Sequence, residues 1–127
     1  MDEFAMDDID FGLLARDGIA TRAEKEGTLI FQEGDKADGL FIIKSGKVGI
    51  RLGNRTLAEL AVNSIFGEMA LIDDAPRSAT AVALTDVELV PVSEKQFLFL
   101  VSQTPFFALK VMRVLARRLR ATSKSFV

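Results

Sequence analysis

Between residues 28 and 60 the chain alternates short apolar segments with residues that favour turns. Residues 28–32, TLIFQ, and residues 40–43, LFII, are rich in the β-branched and aromatic side chains that are typical of strands. The residues between them, EGDKADG, have the composition of a turn. Because neither apolar segment is long enough for a stable helix, this half of the chain is restricted to a sheet of short strands.

Two further pairs of turn residues continue the pattern. A Ser-Gly pair at 45–46 and a Gly-Asn pair at 53–54 separate three short segments, residues 41–44, 47–52 and 55–60. In the middle segment, KVGIRL, apolar residues alternate with polar or small ones, as in a half-buried strand. Both turns therefore predict hairpins, and the strands predict a meandering antiparallel sheet that covers its edges by closing into a small barrel or sandwich.

The period of the apolar residues changes after residue 92. Ser93 with Gln96 three residues later is a capping box that predicts a short helix, and Thr104-Pro105 predicts the start of a longer one. In the longer helix one apolar stripe is formed by Ala108, Val111, Met112, Leu115 and Leu119. We interpret this stripe as core or as a contact with a partner.

Composition restricts the function classes. The 127 residues suit one domain, 49% of them are hydrophobic, and no apolar run is long enough for a membrane helix. The acidic N-terminus, MDEFAMDDID, does not resemble a secretory signal, so we expect a cytoplasmic protein. The chain has neither Cys nor His, which argues against an enzyme and against a metal site such as that of a small-barrel metalloenzyme.

Charge divides the chain into an acidic beginning and a basic end. Residues 1–10 hold five acidic side chains, and residues 110–127 hold six basic ones, with no opposite charge in either. The basic end is typical of the solvated face and C-terminal end of a helix, although contact with nucleic acid or anionic lipid is an alternative. The predicted organisation is an acidic segment (1–20), a β region (21–92) and C-terminal helices (93–127).

The stretch FGEMALIDDAPRSATA, residues 66–81, has the chemistry of an anion site. A short helical turn that begins after Gly67 presents backbone N–H groups, and the guanidinium of Arg77 matches two phosphate oxygens at once. Ser78 adds a hydroxyl, and the small Ala79 leaves backbone N–H groups accessible. Since a carboxylate does not bind phosphate, Glu68 is expected to accept from hydroxyl groups, so the set predicts a sugar phosphate.

The alternative interpretation of these charges is structural. Glu68 and Arg77 can form an exposed ion pair or stand as unrelated charges on a tight turn, because such spacings arise by chance.

The same stretch resembles the phosphate-binding cassette of the cyclic nucleotide-binding domains, F-G-E-[LM]-A-L followed by P-R-[AS]-A-T. The segments EGDKADGLFIIKSGKVGI and PFFALKVMRVLARRLRATS are similar to the hairpin region and the following helices of that family. The resemblance covers residues 21–124. It implies a jelly-roll-like barrel, or double-stranded β-helix, with a short cassette helix and a terminal α-helix.

The resemblance also implies roles for individual residues. Arg77 corresponds to the residue that binds the cyclic phosphate and Glu68 to the one that binds the ribose 2′-hydroxyl. The other candidate ligand-binding residues lie in the cassette, on two strands beside the base, and at the end of the last helix: Gly67, Met69, Ala70, Ser78, Ala79, Ile50, Leu57, Thr122 and Ser123. For Thr122 and Ser123 the alternative is a pair of hydroxyls at a helix end.

The implied function is a non-catalytic sensor of a cyclic nucleotide, with cAMP favoured over cGMP because Thr122 and Ser123 occupy the place of the adenine-reading pair. The alternative is an interaction module of the same fold that no longer binds nucleotide. We expect no DNA-reading module in this chain, a partner domain contacted through the last helix, and a monomer or weak dimer, because the apolar stripe is expected to cover the barrel.

Overall fold

A computed structural model describes residues 20–71, 73 and 75–122 of the chain. Over these residues, strands come first and α-helices last, as the sequence predicts. The strands are β1 (Arg22–Glu24), β2 (Leu29–Phe31), β3 (Gly39–Ser45), β4 (Val48–Leu52), β5 (Arg55–Leu60), β6 (Ile65–Phe66), β7 (Thr80–Ala83) and β8 (Val87–Ser93). A 3₁₀ turn (Glu68–Leu71) follows β6, and the helices are α1 (Glu94–Gln103) and α2 (Phe106–Thr122).

The strands form two antiparallel sheets. One has the order β1-β8-β3-β6 and the other the order β2-β7-β4-β5. The two sheets form a jelly-roll-like sandwich, which confirms the predicted fold class of a mainly β domain with C-terminal helices. In the part of the chain that the structure describes, no pairing between the sheets closes them into a continuous barrel.

One predicted hairpin is correct and the other is wrong. At the Gly53-Asn54 turn β4 pairs with β5, with Leu52 opposite Arg55. At the Ser45-Gly46 turn, however, β3 pairs with β6 and β8, whereas β4 belongs to the other sheet. Turn residues mark where the chain reverses but do not select the next pairing partner, so the meander is replaced by a crossing between sheets.

The strand β3 divides the core into two layers because its side chains alternate. Phe41 and Ile43 point between the sheets, into a cluster that includes Val48, Phe66 and Leu89. On the opposite face, Leu40 and Ile42 belong to a second cluster with Ile65, Val90 and Val92 and with Phe107, Val111 and Val114 of α2. Burial on both faces explains why this strand is a continuous apolar run in the sequence.

The face of α2 that packs on the sheet agrees with the predicted stripe only in part, because Val111 and Leu115 of the stripe pack there whereas Met112 and Leu119 do not. Phe107, Val111 and Val114 are buried, whereas Met112 and Leu119 are 55% and 66% exposed. The expectation that Met112 and Leu119 cover the sheet is therefore wrong. Because α2 carries apolar residues around more than one face, periodicity alone does not decide which face packs inward.

The helix boundaries agree with the capping signals. Ser93 Oγ accepts from the backbone of Gln96 at 3.2 Å, and the Gln96 side chain accepts from the backbone of Ser93 at 2.9 Å, which confirms the capping box. The longer helix begins directly after Pro105. Among the described residues, no helix combines the length and the apolarity that crossing a membrane requires. The division of the chain at residues 20 and 92 stays a prediction.

Candidate functional site

The turn after β6 places Glu68 at the start of the cassette. The backbone of Gly67 has a φ of 76°, in the left-handed region that favours glycine, and the 3₁₀ turn Glu68–Leu71 follows directly. This confirms the single helical turn that the sequence predicts after Gly67. Glu68 is buried, in contrast to the exposed acidic residue that the structural alternative requires.

The loop between β2 and β3 holds the backbone of Arg77. The Arg77 N–H donates to the carbonyl of Asp35 at 2.8 Å, and the Gly34 N–H donates to the carbonyl of Arg77 at 2.8 Å. The Asp35 carboxylate in turn accepts from the backbone N–H of Gln32 at 2.9 Å. The turn composition of residues 33–39 therefore does more than reverse the chain, since it fixes the second half of the cassette.

The side chain of Arg77 is buried, and only some of its hydrogen-bond donors have acceptors. Its Nη1 donates to the carbonyl of Gly67 at 3.0 Å, and its Nη2 lies 3.7 Å from a carboxylate oxygen of Asp38, a side chain that is 87% exposed. Its guanidinium carbon lies 4.1 Å from the ring centroid of Phe31. The Nε atom is buried, and no described residue accepts a hydrogen bond from it.

Burial acts on the charge of Arg77. Loss of water lowers the pKa of the guanidinium from its ordinary value, while the carboxylates of Asp38, Glu68 and Asp35 act in the opposite direction. A guanidinium starts from so high a pKa that it stays protonated at neutral pH. The site therefore contains a buried positive charge with unused hydrogen-bonding capacity.

Glu68 pairs with an arginine of α2 and not with Arg77. The carboxylate of Glu68 forms an ion pair with Nη1 of Arg118, and Nη2 of Arg118 donates to the carbonyl of Ile65 at 2.7 Å. Both side chains of the pair are mostly buried. The structural alternative of an exposed Glu68–Arg77 ion pair is thus wrong.

The site residues predicted from the sequence do not include Arg118. The charge pattern alone places it with the other basic residues of the last helix. A signal was nevertheless present, because Arg118 continues the spacing of Phe107, Val111 and Val114 on the buried face. A charged residue at a core position of an amphipathic helix indicates a buried partner.

The predicted site residues meet around one cavity of about 290 Å³. From the predicted set, its walls include Gly67, Glu68, Met69, Arg77, Ser78, Ala79, Ile50 and Leu57. Four residues outside the predicted set contribute to the same walls: Phe31, Leu115, Arg118 and Leu119.

Three predicted residues stand apart from this description. Ala70 lies in the 3₁₀ turn and Thr122 is the last residue of α2, and the structure does not describe the side chain of either. Ser123 lies outside the described residues. Their roles stay predictions.

Comparison with known proteins identifies the domain. The cyclic nucleotide-binding domain family matches residues 22–104. A cyclic AMP receptor protein from Thermus thermophilus is 40% identical over 112 residues, which are 84% of this chain and 52% of the relative. This chain thus spans about half the length of that relative.

Solved structures agree with this result. The catabolite activator protein of Thermus thermophilus has a TM-score of 0.77 at 38% identity, covering 84% of this chain and 53% of that one. The EAL enzyme Bd1971 matches in a cGMP-bound form (TM-score 0.65, 40% identity) and a cAMP-bound form (TM-score 0.63, 39% identity), with 84% of this chain and 30% of the enzyme covered in each. The chain belongs to the cyclic nucleotide-binding domain family.

Proposed function

We propose that this chain is a non-catalytic sensor of cyclic nucleotides and that cAMP is its preferred ligand. The proposal rests on the surroundings of Arg77. This residue is a buried cation in the wall of the cavity, and its Nε has no acceptor among the described residues. A buried cation with unused hydrogen-bond donors costs folding free energy unless an anion accepts hydrogen bonds from it. A cyclic phosphate supplies that anion in a form that the planar guanidinium binds at two oxygens.

The second part of the proposal is that Glu68 accepts a hydrogen bond from the ribose 2′-hydroxyl. Its carboxylate lines the same cavity as Arg77 and carries the acceptor oxygens that a hydroxyl needs. In the structure Arg118 occupies part of that acceptor capacity. A bound ribose therefore competes with Arg118 for the carboxylate or shares it, and either case changes the contact between the cassette and α2.

We assign the base to the apolar part of the cavity. Ile50 and Leu57 come from the sheet, and Leu115 and Leu119 come from α2. A purine ring buries its faces on such side chains, while its edge needs polar partners. Thr122 and Ser123 are our proposed partners for adenine, and Ser78 is the candidate hydroxyl for guanine if cGMP is the ligand.

The proposed output is a change in the position or stability of α2. The ion pair of Arg118 with Glu68 and the hydrogen bond of Arg118 to Ile65 connect α2 to the residues that flank Gly67. A ligand shifts α2 only as far as it binds one arrangement of this contact better than the other. The mechanism needs no catalytic group.

The names of the relatives support a regulatory role. The Thermus relative is named as a cyclic AMP receptor protein, and a kinase regulatory subunit from Colletotrichum orbiculare is 32% identical over 83 residues. These proteins are longer than this chain, so the partner on which α2 acts, and the cytoplasmic location expected from the sequence, stay predictions. An interaction module without ligand is the alternative, and the unsatisfied donor of Arg77 argues against it.

Calorimetric titration of the purified chain with cAMP, cGMP and 5′-AMP tests the proposal. We expect one cAMP per chain, weaker binding of cGMP, and weaker binding still of 5′-AMP, whose phosphate is not held in a ring. Absence of heat with all three nucleotides, together with unchanged NMR spectra at millimolar nucleotide, would identify the ligand-free interaction module instead.

A further inference from the structure

We propose that Phe31 is the positioning residue for Arg77, because its ring fixes the plane of the guanidinium that receives the phosphate. The inference rests on the proposed function, since it assigns Phe31 a part in ligand recognition. The side chain of Phe31 has no polar atom with which to bind the phosphate. It acts through Arg77.

The guanidinium of Arg77 lies over the ring of Phe31. The Cζ atom of Arg77 lies 4.1 Å from the ring centroid of Phe31, whereas the next ring, that of Phe41, is 6.0 Å away. Phe31 is half-buried and lies in the wall of the same cavity. The cation therefore rests on one face of Phe31 at close range.

Stacking positions a guanidinium without using its donors. The N–H groups of arginine lie in the guanidinium plane, so an aromatic ring above that plane leaves them available to an anion at the edge. The other contacts of the Arg77 side chain take little of this capacity, because Gly67 accepts one hydrogen bond and Asp38 is exposed to water. The ring thus orients the cation without neutralising it.

The ring of Phe31 is itself held by its neighbours. Its centroid lies 5.9 Å from that of Phe66 and 6.3 Å from that of Phe41, and these two rings stack on each other at 5.3 Å. Phe31 also ends β2, directly before the loop whose Asp35 binds the Arg77 backbone. One short segment, residues 31–35, therefore fixes both the backbone and the side chain of Arg77.

The test compares two ligands that differ in the phosphate. Phe31→Leu removes the aromatic face and keeps an apolar side chain, and its binding is measured by titration with cAMP and with adenosine. We expect cAMP affinity to fall by about fivefold or more, while adenosine affinity changes by less than about twofold. Equal losses for the two ligands would show that Phe31 only shapes the cavity, and an unchanged cAMP affinity would refute the role outright.

A second measurement needs neither a variant nor a ligand. In the ligand-free wild-type chain, NMR should show the side-chain N–H signals of Arg77 shifted by the ring current of Phe31, with nuclear Overhauser contacts between the two side chains. Normal arginine shifts without such contacts would refute the inference, even if Phe31→Leu fails to fold. If the contacts are seen but neither cAMP nor cGMP binds, the proposed function fails while the stacked arrangement of Phe31 and Arg77 stands.

Discussion

Arg118 in α2 forms a mostly buried ion pair with Glu68, fifty residues earlier in the cassette turn. The same guanidinium donates to the carbonyl of Ile65, the first residue of β6. One side chain of the terminal helix therefore contacts both the strand that leads into the cassette and the carboxylate proposed to bind ribose. We propose that this relationship couples α2 to whatever occupies the cavity.

Removal of Arg118 should destabilise the fold. Arg118→Gln leaves the buried carboxylate of Glu68 without its cation, so we expect the free energy of unfolding to fall by about 3 kcal/mol in urea denaturation. Arg120→Gln, at an exposed position of the same helix, is the matched control and should change it by less than about 0.5 kcal/mol. Combining Arg118→Gln with Glu68→Gln should restore part of the lost free energy of unfolding. If it does not, the destabilisation by Arg118→Gln has a cause other than the broken ion pair.

The same variant tests the coupling between ligand and helix. In the wild-type chain, saturating cAMP should change amide hydrogen exchange across Phe106–Thr122, because the ligand competes for Glu68. In Arg118→Gln, the cAMP-dependent change in the amide exchange of α2 should be smaller than in the wild-type chain. The change in the cassette, residues 66–81, is the internal reference for this comparison. Identical exchange of α2 with and without cAMP in the wild-type chain would contradict the proposed output.

Glu68→Gln tests the ribose contact. The amide keeps the size of the side chain but is a weaker acceptor, so we expect a loss of cAMP affinity smaller than that of Arg77→Ala. With 2′-deoxy-cAMP the variant and the wild type should bind alike, because that ligand lacks the hydroxyl. An equal loss for both ligands would assign the effect to the broken ion pair with Arg118 and not to the ribose.

A comparison of Gly67 with Gly53, two glycines of similar backbone geometry, distinguishes the effect of backbone strain on stability from an effect on ligand binding. A Cβ at Gly67 would lie 2.8 Å from Nη1 of Arg77, whereas a Cβ at Gly53 would meet nothing within 4 Å. Both have positive φ, so Gly67→Ala and Gly53→Ala should each cost about 1 kcal/mol of stability. Only Gly67→Ala should also weaken cAMP binding, as titration of the two variants would show. Equal affinities would mean that Arg77 tolerates displacement.

The sequence predicted strands, turns and caps well because these depend on neighbouring residues. The capping box at Ser93 and the hairpin at Gly53-Asn54 are local, and both form. The pairing of β3 with β8 joins residues far apart in the chain, and no local signal specifies it. The hairpin that local turn residues predict at Ser45-Gly46 therefore does not form.

The same dependence on neighbouring residues explains why the site could be predicted only in part. Glu68 and Arg77 lie within one short motif, so their presence in one wall could be inferred from the sequence. The partners that they use, Arg118 and Phe31, come from α2 and β2 and are brought to the cassette by the fold. An isolated charge in a helix does not reveal its distant partner.

The exposed face of α2 changes the expectation for self-association. Three apolar residues of α2 are exposed at the spacing of a coiled-coil stripe: Leu109, Met112 and Leu119. The expectation that the apolar residues of this helix are all needed to cover the sheet is therefore wrong. We expect a weak dimer through this face, strengthened by salt because basic residues lie beside it. Sedimentation of wild type and Met112→Glu tests this expectation, and equal association of the two chains would exclude the face.

Titration of cAMP into wild type, Arg77→Lys and Arg77→Ala measures whether Arg77 holds a cyclic phosphate in this cavity. We expect Arg77→Ala to lose about 2–5 kcal/mol of binding free energy, with Arg77→Lys between it and the wild type, because lysine keeps the charge but not the planar fork. Thermal unfolding of each chain checks that the variants are folded. A loss of less than about threefold in Arg77→Ala would refute the phosphate role of Arg77, since the expected loss of about 2–5 kcal/mol corresponds, at about 1.4 kcal/mol per tenfold, to well over tenfold in affinity.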